Sequence, residues 1–314
     1  PILISAIQGI GTGDLLDACV AHLPQRAADE ADDERLRLAI IGRPNVGKSS
    51  LVNRLLGHER TVVSPLAGTT RDAVDTPLRY HGQELVLVDT AGIRRRGRIE
   101  RGIEKYSVLR ALRALERADV AVLVIDAQDG VTAQDAHIGG YLQAAGVGAI
   151  VAVNKWDLVE KDSHTAVEAE RAVRAALKHL DYAPVVFVSA LSGLRVIKLV
   201  ERAIEVQASR TRRVATAELN RLVADLQARH TLSRGGRPLK IKYATQVAVA
   251  PPHFVFFVND AELVHFSYER YVANQIRERF GFGGTPVKLT FRSGERREEN
   301  DAKARRGHPR SRSR

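Results

Sequence analysis

From Leu36 onward, short apolar runs alternate with amphipathic stretches: LRLAII then 48–56, LVLVD then 103–117, VAVLVID then 132–145, AIVAVN then 165–180, and VVFVS then 194–206. Continuous apolar runs of this length suit strands buried on both faces, and the stretches between them place apolar residues at helical spacing. Strands alternating with helices predict βαβ units around a mostly parallel sheet, an α/β fold. Residues 73–80 and 84–89, joined through His81-Gly82, predict a hairpin that supplies one antiparallel edge strand. Past Arg213 the pattern changes. It predicts a helix over 216–230, strands over 239–249 and 254–259, a helix over 267–280 and a strand over 286–292, an αββαβ module of α+β type.

The expected domains are therefore 36–210 and 214–293, and 314 residues suffice for two cores. Residues 2–23 repeat the grammar of 185–206: an apolar run, Ser-Ala, two residues, Gly and an amphipathic helix, with Ser5-Ala6 aligned on Ser189-Ala190. Residues 1–24 thus read as the remnant of a preceding copy of the same domain, in a chain that looks like a piece of something longer. Residues 25–35 (QRAADEADDER) read as a flexible linker, and 294–314, charged and nearly free of apolar side chains, as a disordered basic tail.

Charge separates the two halves of the chain. Residues 208–314 carry 22 Lys and Arg against 10 Asp and Glu, whereas residues 1–207 carry 26 against 27. The whole excess of positive charge lies in the C-terminal third, where it favours a polyanion such as nucleic acid; a solvated surface that aids solubility is the plainer alternative. Cys19 is the only cysteine, which excludes an intramolecular disulfide and suits a reducing compartment, so the cytoplasm is expected. No stretch approaches the ~18 uninterrupted apolar residues of a spanning helix, and no membrane segment is expected.

Gly42-Arg43-Pro44-Asn45-Val46-Gly47-Lys48-Ser49 fits G-x4-G-K-[ST], directly after a predicted buried strand and at the start of a helix that continues through Ser50. In such a loop the backbone N–H groups point at phosphates, the helix N-terminus adds positive potential, Lys48 reaches the terminal phosphates and the Ser49 hydroxyl binds Mg²⁺. Asp89-Thr90-Ala91-Gly92 closes the strand LVLVD at the sheet edge where α/β folds bind ligands. Asp89 there can hold Mg²⁺ through water and the Gly92 N–H can meet a γ-phosphate, although an Asp closing a strand also serves as a turn former. Asn154-Lys155-Trp156-Asp157 closes AIVAVN. The Asp157 carboxylate can accept from N1 and N2 of guanine, and adenine offers no such donor pair, so the motif selects GTP over ATP. Ser189-Ala190-Leu191 would back the base through main-chain contacts. Thr70, with Thr69 as the other choice, can complete a Mg²⁺ shell only when the γ-phosphate is present; both threonines also suit a plain turn.

The set GRPNVGKS, GTTRD, DTAGIRRRGR, NKWD and SALSG resembles the G domains of translation-factor-related GTPases, and most closely the ribosome-associated Der (EngA) family, which carries two G domains and then a KH-like domain. RPLKIKYATQ, FVFFVND and SYERYVANQIRERFGFGGTPVKL resemble that third domain. The resemblance covers nearly all of 1–292 with one complete G domain. It implies a P-loop NTPase G domain followed by a KH-like domain, GTP hydrolysis, and a role in assembly of the large ribosomal subunit with contact to ribosomal RNA. A monomer is expected. Ile93 stands where Ras-like enzymes carry a water-orienting Gln, so hydrolysis needs another stabilising group. The resemblance suggests K⁺ with Asn45 as one ligand, making Lys48, Thr70 and Asn45 the candidate catalytic residues; Asn45 satisfying its own loop backbone is the alternative. A GTP-binding RNA-interaction module without turnover is the second functional reading. The letters Gly281-Phe282-Gly283-Gly284 match the GXXG of RNA-clamping KH domains, but they fall between the last helix and the last strand, where a helix stop is expected.

Overall fold

The computed structural model describes residues 35–57, 61–63, 75–90, 104–229, 233–234 and 237–293. The expectations for 1–24, most of the 25–35 linker and the 294–314 tail lie outside these residues, as do Thr69, Thr70, Ala91, Gly92 and Ile93.

Seven strands form one sheet: β1 (Leu36–Ile41), β2 (Thr61–Val63), β3 (Thr76–Tyr80), β4 (Gln83–Val88), β5 (Val120–Asp126), β6 (Gly148–Asn154) and β7 (Val185–Phe187). Their order is β2-β3-β4-β1-β5-β6-β7. β1 pairs in parallel with β4 and β5, β5 with β6, and β6 with β7. The antiparallel margin holds two strands instead of the single one expected, because β2 adds to β3 beyond the β3–β4 hairpin. Three residues are too few for an alternation to show in the sequence.

The helices are α1 (Lys48–Leu56), α2 (Glu104–Arg117), α3 (Ala133–Ala145), α4 (Thr165–Ala176) and α5 (Ile197–Arg210). Alternate residues of each central strand supply two cores. Leu38, Ile40, Val122 and Val124 meet Leu51 and Leu55 of α1 and Leu199, Val200 and Ala203 of α5. Ala39, Ile41, Leu123 and Ile125 meet Leu115 of α2, Ile138 and Leu142 of α3, and Val173 of α4. Burial on both faces is why all seven residues of β5 and of β6 are buried and why these strands read as unbroken apolar runs. The helix predicted over 165–180 stops at Ala176; Leu177 leaves helical geometry, and a 3₁₀ turn (Lys178–Leu180) follows, burying Leu177 and Leu180. The helix predicted to end at 206 continues to Arg210.

The C-terminal module keeps the predicted αββαβ order and adds a two-stranded ribbon that the pattern does not predict: α6 (Thr216–Arg229), the ribbon of β8 (Ser233–Arg234) and β9 (Arg237–Pro238), then β10 (Ile241–Ala248), β11 (His253–Val258), α7 (Phe266–Phe280) and β12 (Lys288–Ser293). β10 runs antiparallel and β12 parallel to the central β11. One sheet face packs Phe254, Phe256, Val258 and Leu289 against Leu219 and Leu222 of α6 and Val272 and Ile276 of α7.

The module is joined to the first domain by a polar seam. Gly281 ends α7 in the left-handed conformation, φ 72°, its N–H donating to the Arg277 carbonyl, so the helix-stop reading of Gly281–Gly284 holds. Gly284 then donates to the Tyr182 carbonyl at 2.8 Å and accepts from Ala149 N of β6 at 2.7 Å. A Cβ on Gly284 would lie 2.2 Å from Val206 Cγ2, so only glycine permits this approach. Arg212 donates to the Phe280 carbonyl and the Arg277 guanidinium lies 5.2 Å from the Tyr182 ring centre, while beside them Arg210 donates to the Gly146 carbonyl within the first domain. Burial lowers the pKa of both Arg210 and Arg277 and raises that of Tyr182. Among the described residues, no helix is long and apolar enough to cross a membrane.

Candidate functional site

The ends of parallel strands build the site. β1 lies between β4 and β5, where the strand order reverses, and this is the place in an open α/β sheet that opens a crevice. Gly42, Arg43, Pro44, Asn45, Val46 and Gly47 form the loop after β1, and Lys48, Ser49 and Ser50 open α1. Most helices start on a side-chain cap and favour acids in the first turn. α1 has neither: its cap is Gly47 at φ 94°, without a side-chain bond, and its first turn contains no acid. A helix N-terminus of this kind offers positive potential to an anion. The Lys48 ammonium donates to the Arg43 carbonyl at 2.5 Å, a bond a phosphate oxygen can take over.

Asn154 ties the loop to the purine side. Its side chain, 2% exposed, donates to the Val46 carbonyl at 2.7 Å and accepts from Ala190 N at 2.9 Å. A Cβ on Gly47 would fall 2.3 Å from Asn154 Nδ2, so this closeness and the positive φ both require glycine. Trp156 N donates to the Val188 carbonyl, while its indole is buried against Phe187, ring centres 4.3 Å apart. Val46, Trp156 and Ser189 are buried. Asp157 and Leu191 are exposed. With Gly47, Ser50, Arg54, Asn154, Lys155 and Ala190 they line a cleft of about 590 Å³.

At the end of β4, Asp89 takes φ 57° and donates its N–H to Asp75 Oδ1 at 3.1 Å, while Arg117 donates to the other Asp75 oxygen. Thr90 is 3% exposed, its hydroxyl 2.7 Å from that of Thr76. Ser49 and Asp89 offer hydroxyl and carboxylate oxygens, the hard donors Mg²⁺ takes.

The structure adds groups that the motifs do not contain. Arg54 of α1 donates to the carbonyls of Ala190 (3.2 Å from Nε) and Leu191, fixing the loop after β7 against the helix after the phosphate loop. Arg43 donates to Asp129 at 2.5 Å and lies 3.4 Å from Asp135; the Asp129 bond, opposed by burial, raises the Arg43 pKa. Lys155 pairs with Asp126 at 2.5 Å. Burial alone would push the Asp126 carboxyl up, but the Lys155 bond and the Gln128 amide outweigh it and hold it below its ordinary value. Nothing in the local sequence marks these acids, whose partners lie far along the chain.

Two family models match this chain: one described as "50S ribosome-binding GTPase" over residues 37–155, and one described as "KH-domain-like of EngA bacterial GTPase enzymes, C-terminal" over 213–292. GTPase Der of Chloroflexus aggregans is 54% identical over 301 residues, covering 95% of this chain and 67% of that protein. The chain belongs to the Der (EngA) family of GTPases. GTPase Der of a Geobacillus species is 53% identical over 293 residues, 93% of this chain and 67% of its own. Among solved structures, Era from Aquifex aeolicus bound to GDP and AlF4⁻ aligns with a TM-score of 0.42 and 23% identity, over 82% of this chain and 92% of that one. As a Der-family member the chain is a GTP hydrolase, binding GTP and yielding GDP and phosphate. Mg²⁺ is the metal such enzymes use, and when bound it would neutralise charge on the phosphates. The chain's own contribution is positional. Asn154 holds the loop after β1 and the loop after β7 at one separation.

Proposed function

We propose that this GTPase is a switch in assembly of the large ribosomal subunit, acting as a cytoplasmic monomer that contacts ribosomal RNA through its C-terminal module. Residues 42–50 grip the phosphates; Ser49, Thr70 and, through water, Asp89 hold Mg²⁺; residues 89–93 follow the last phosphate. Residues 154–157 read guanine and 189–191 back it. K⁺ on Asn45 supplies the charge that Ile93 cannot. The observation that carries the ribosomal reading is the match of residues 37–155 to a family described as 50S ribosome-binding.

The RNA contact is supported by the outer face of the three-stranded sheet. The register sets Tyr243, Phe257 and Arg292 side by side across β10, β11 and β12, followed by Thr245, Val255 and Thr290, with His253 beside Lys288. Tyr243 is 43% exposed, its ring centre is 6.1 Å from that of Phe257, and among the described residues no strand position on this face is an acid. Aromatic rings beside cations suit unpaired bases and their phosphates. The Gly281–Gly284 segment is no clamp for RNA, because Gly284 is committed to the seam.

Co-sedimentation with 50S particles in a GTP analogue and in GDP tests the switch: binding must differ between the two states, and equal or absent binding refutes it. Hydrolysis in KCl against NaCl tests the cation; equal rates remove K⁺ from Asn45.

A further inference from the structure

The segment from the last residue of β5 to the first turn of α3 belongs to none of the nucleotide motifs, yet it holds one side chain from each of two of them. On the purine side, Asp126 is 4% exposed and pairs with Lys155 Nζ, while its Oδ1 accepts from Gln128 N at 3.0 Å. On the phosphate side, Arg43 is bonded to Asp129 and faces Asp135, which is wholly buried at the start of α3. Asp135 is itself fixed: its Oδ2 accepts from Thr132 N at 3.0 Å and from the Thr132 hydroxyl at 2.7 Å. The 3.4 Å from Arg43 Nε to Asp135 is a charge pairing whose angle misses a hydrogen bond, and both Nε and Asp135 Oδ1 are buried without one.

Taking the carboxylates of Asp126 and Asp135 out of water offsets most of what their pairing gains, so such pairs contribute little net stability, and their best-attested value lies in fixing one arrangement among several. Here the arrangement fixed is that of the nucleotide motifs. A lysine side chain loses rotamer freedom when it is held in one geometry. Anchoring the Lys155 ammonium on Asp126 lays its stem along the cleft wall next to Asp157 before any purine is bound, which removes that ordering cost from binding.

We propose that the segment from the end of β5 to the first turn of α3 is a tether for the nucleotide site, with Asp126 the positioning residue for Lys155, and Asp129 and Asp135 the positioning residues for Arg43. The tether rests on the guanine-nucleotide reading of the phosphate loop and of Asn154–Asp157. It extends that reading to three acids that lie outside the nucleotide motifs.

The test is a double-mutant cycle on the full chain, read by dissociation of fluorescent GDP and by steady-state GTP hydrolysis. Asp126→Asn is expected to weaken GDP about tenfold through faster release and to raise KM for GTP by a similar factor with little change in kcat. In a Lys155→Met background the same change should move neither constant by more than about twofold. Asp135→Asn should likewise weaken GDP in the parent chain and not in Arg43→Gln. Asp126→Glu, which keeps the charge, should recover part of the loss, and it serves as the readout if Asp126→Asn fails to fold. A tenfold loss that persists without Lys155, or GDP affinity within twofold of the parent in Asp126→Asn, overturns the tether. Lys48→Ala and Asp157→Asn run in parallel. If these keep their nucleotide affinity the site reading falls; if they lose it while Asp126→Asn does not, only the tether falls.

Discussion

Asn154→Asp changes one atom type at the point where the phosphate loop and the loop after β7 meet. The new carboxyl keeps an oxygen for Ala190 N, so that contact survives. The other bond reverses sign: an N–H donor 2.7 Å from the Val46 carbonyl becomes an oxyanion facing a carbonyl oxygen, at a position 2% exposed. A lost hydrogen bond is worth about 1 kcal/mol, and a buried acceptor left without a donor costs about 1–3 more, so the strained arrangement lies ~2–4 kcal/mol higher. If the Val46 loop must stay in place to bind nucleotide, that is a loss of roughly 30- to 700-fold in GDP affinity at pH 7.5. The variant also carries a signature that mere unfolding lacks. Burial and the facing carbonyl disfavour the charged carboxyl and raise its pKa, and the protonated acid has an O–H that can donate to Val46. Affinity relative to the parent, measured by calorimetry from pH 8 to 5.5, should therefore recover as pH falls. A variant that binds GDP within threefold of the parent at pH 7.5, or whose deficit is the same at every pH, would show that the Asn154–Val46 bond does not hold the phosphate loop.

Gly284→Ala should lower the melting temperature by about 4–12 °C: the added Cβ meets Val206 at 2.2 Å and the residue sits at φ 74°, a cost of ~2–3 kcal/mol at about 2–4 °C per kcal/mol. A calorimetric shift under 1 °C would mean the seam gives way freely. Tyr243→Ala should cost about 1–3 kcal/mol in affinity for single-stranded RNA at any fixed salt, whereas Arg292→Ala should reduce the salt slope by about one; filter binding across a KCl series separates stacking from charge. His253 has its pKa lowered by burial first and then by Lys288 and Arg292, so the unfolded chain binds the proton more readily. Stability should then fall as pH drops below the unfolded value near 6.5, until the lower folded pKa is passed, and His253→Gln should flatten that slope in denaturant titrations; an unchanged slope would refute it.

The parts of the site legible in the sequence are those that local chemistry writes into consecutive letters. Gly47 before Lys48 takes a positive φ on its own backbone, and Asp157 stands in a run of letters, NKWD after an apolar strand, that can be recognised without knowing where the rest of the chain goes. The groups that hold these motifs together are not local. Arg43 finds Asp129 across 86 positions, Asn154 finds Val46 across 108, and Arg54 finds Ala190 across 136. An aspartate three residues after the end of a strand looks the same in sequence whether it faces water or a phosphate-loop arginine. The GFGG segment makes the same point from the other side. Its letters permit a helix stop or an RNA clamp, and its place after α7 selects the first; yet the reason for its fourth residue comes from Val206 on α5, a neighbour that exists only once both domains have folded. Periodicity thus determines which strands end together, and the crevice follows from it, while the bonds that hold that crevice to one width belong to tertiary structure.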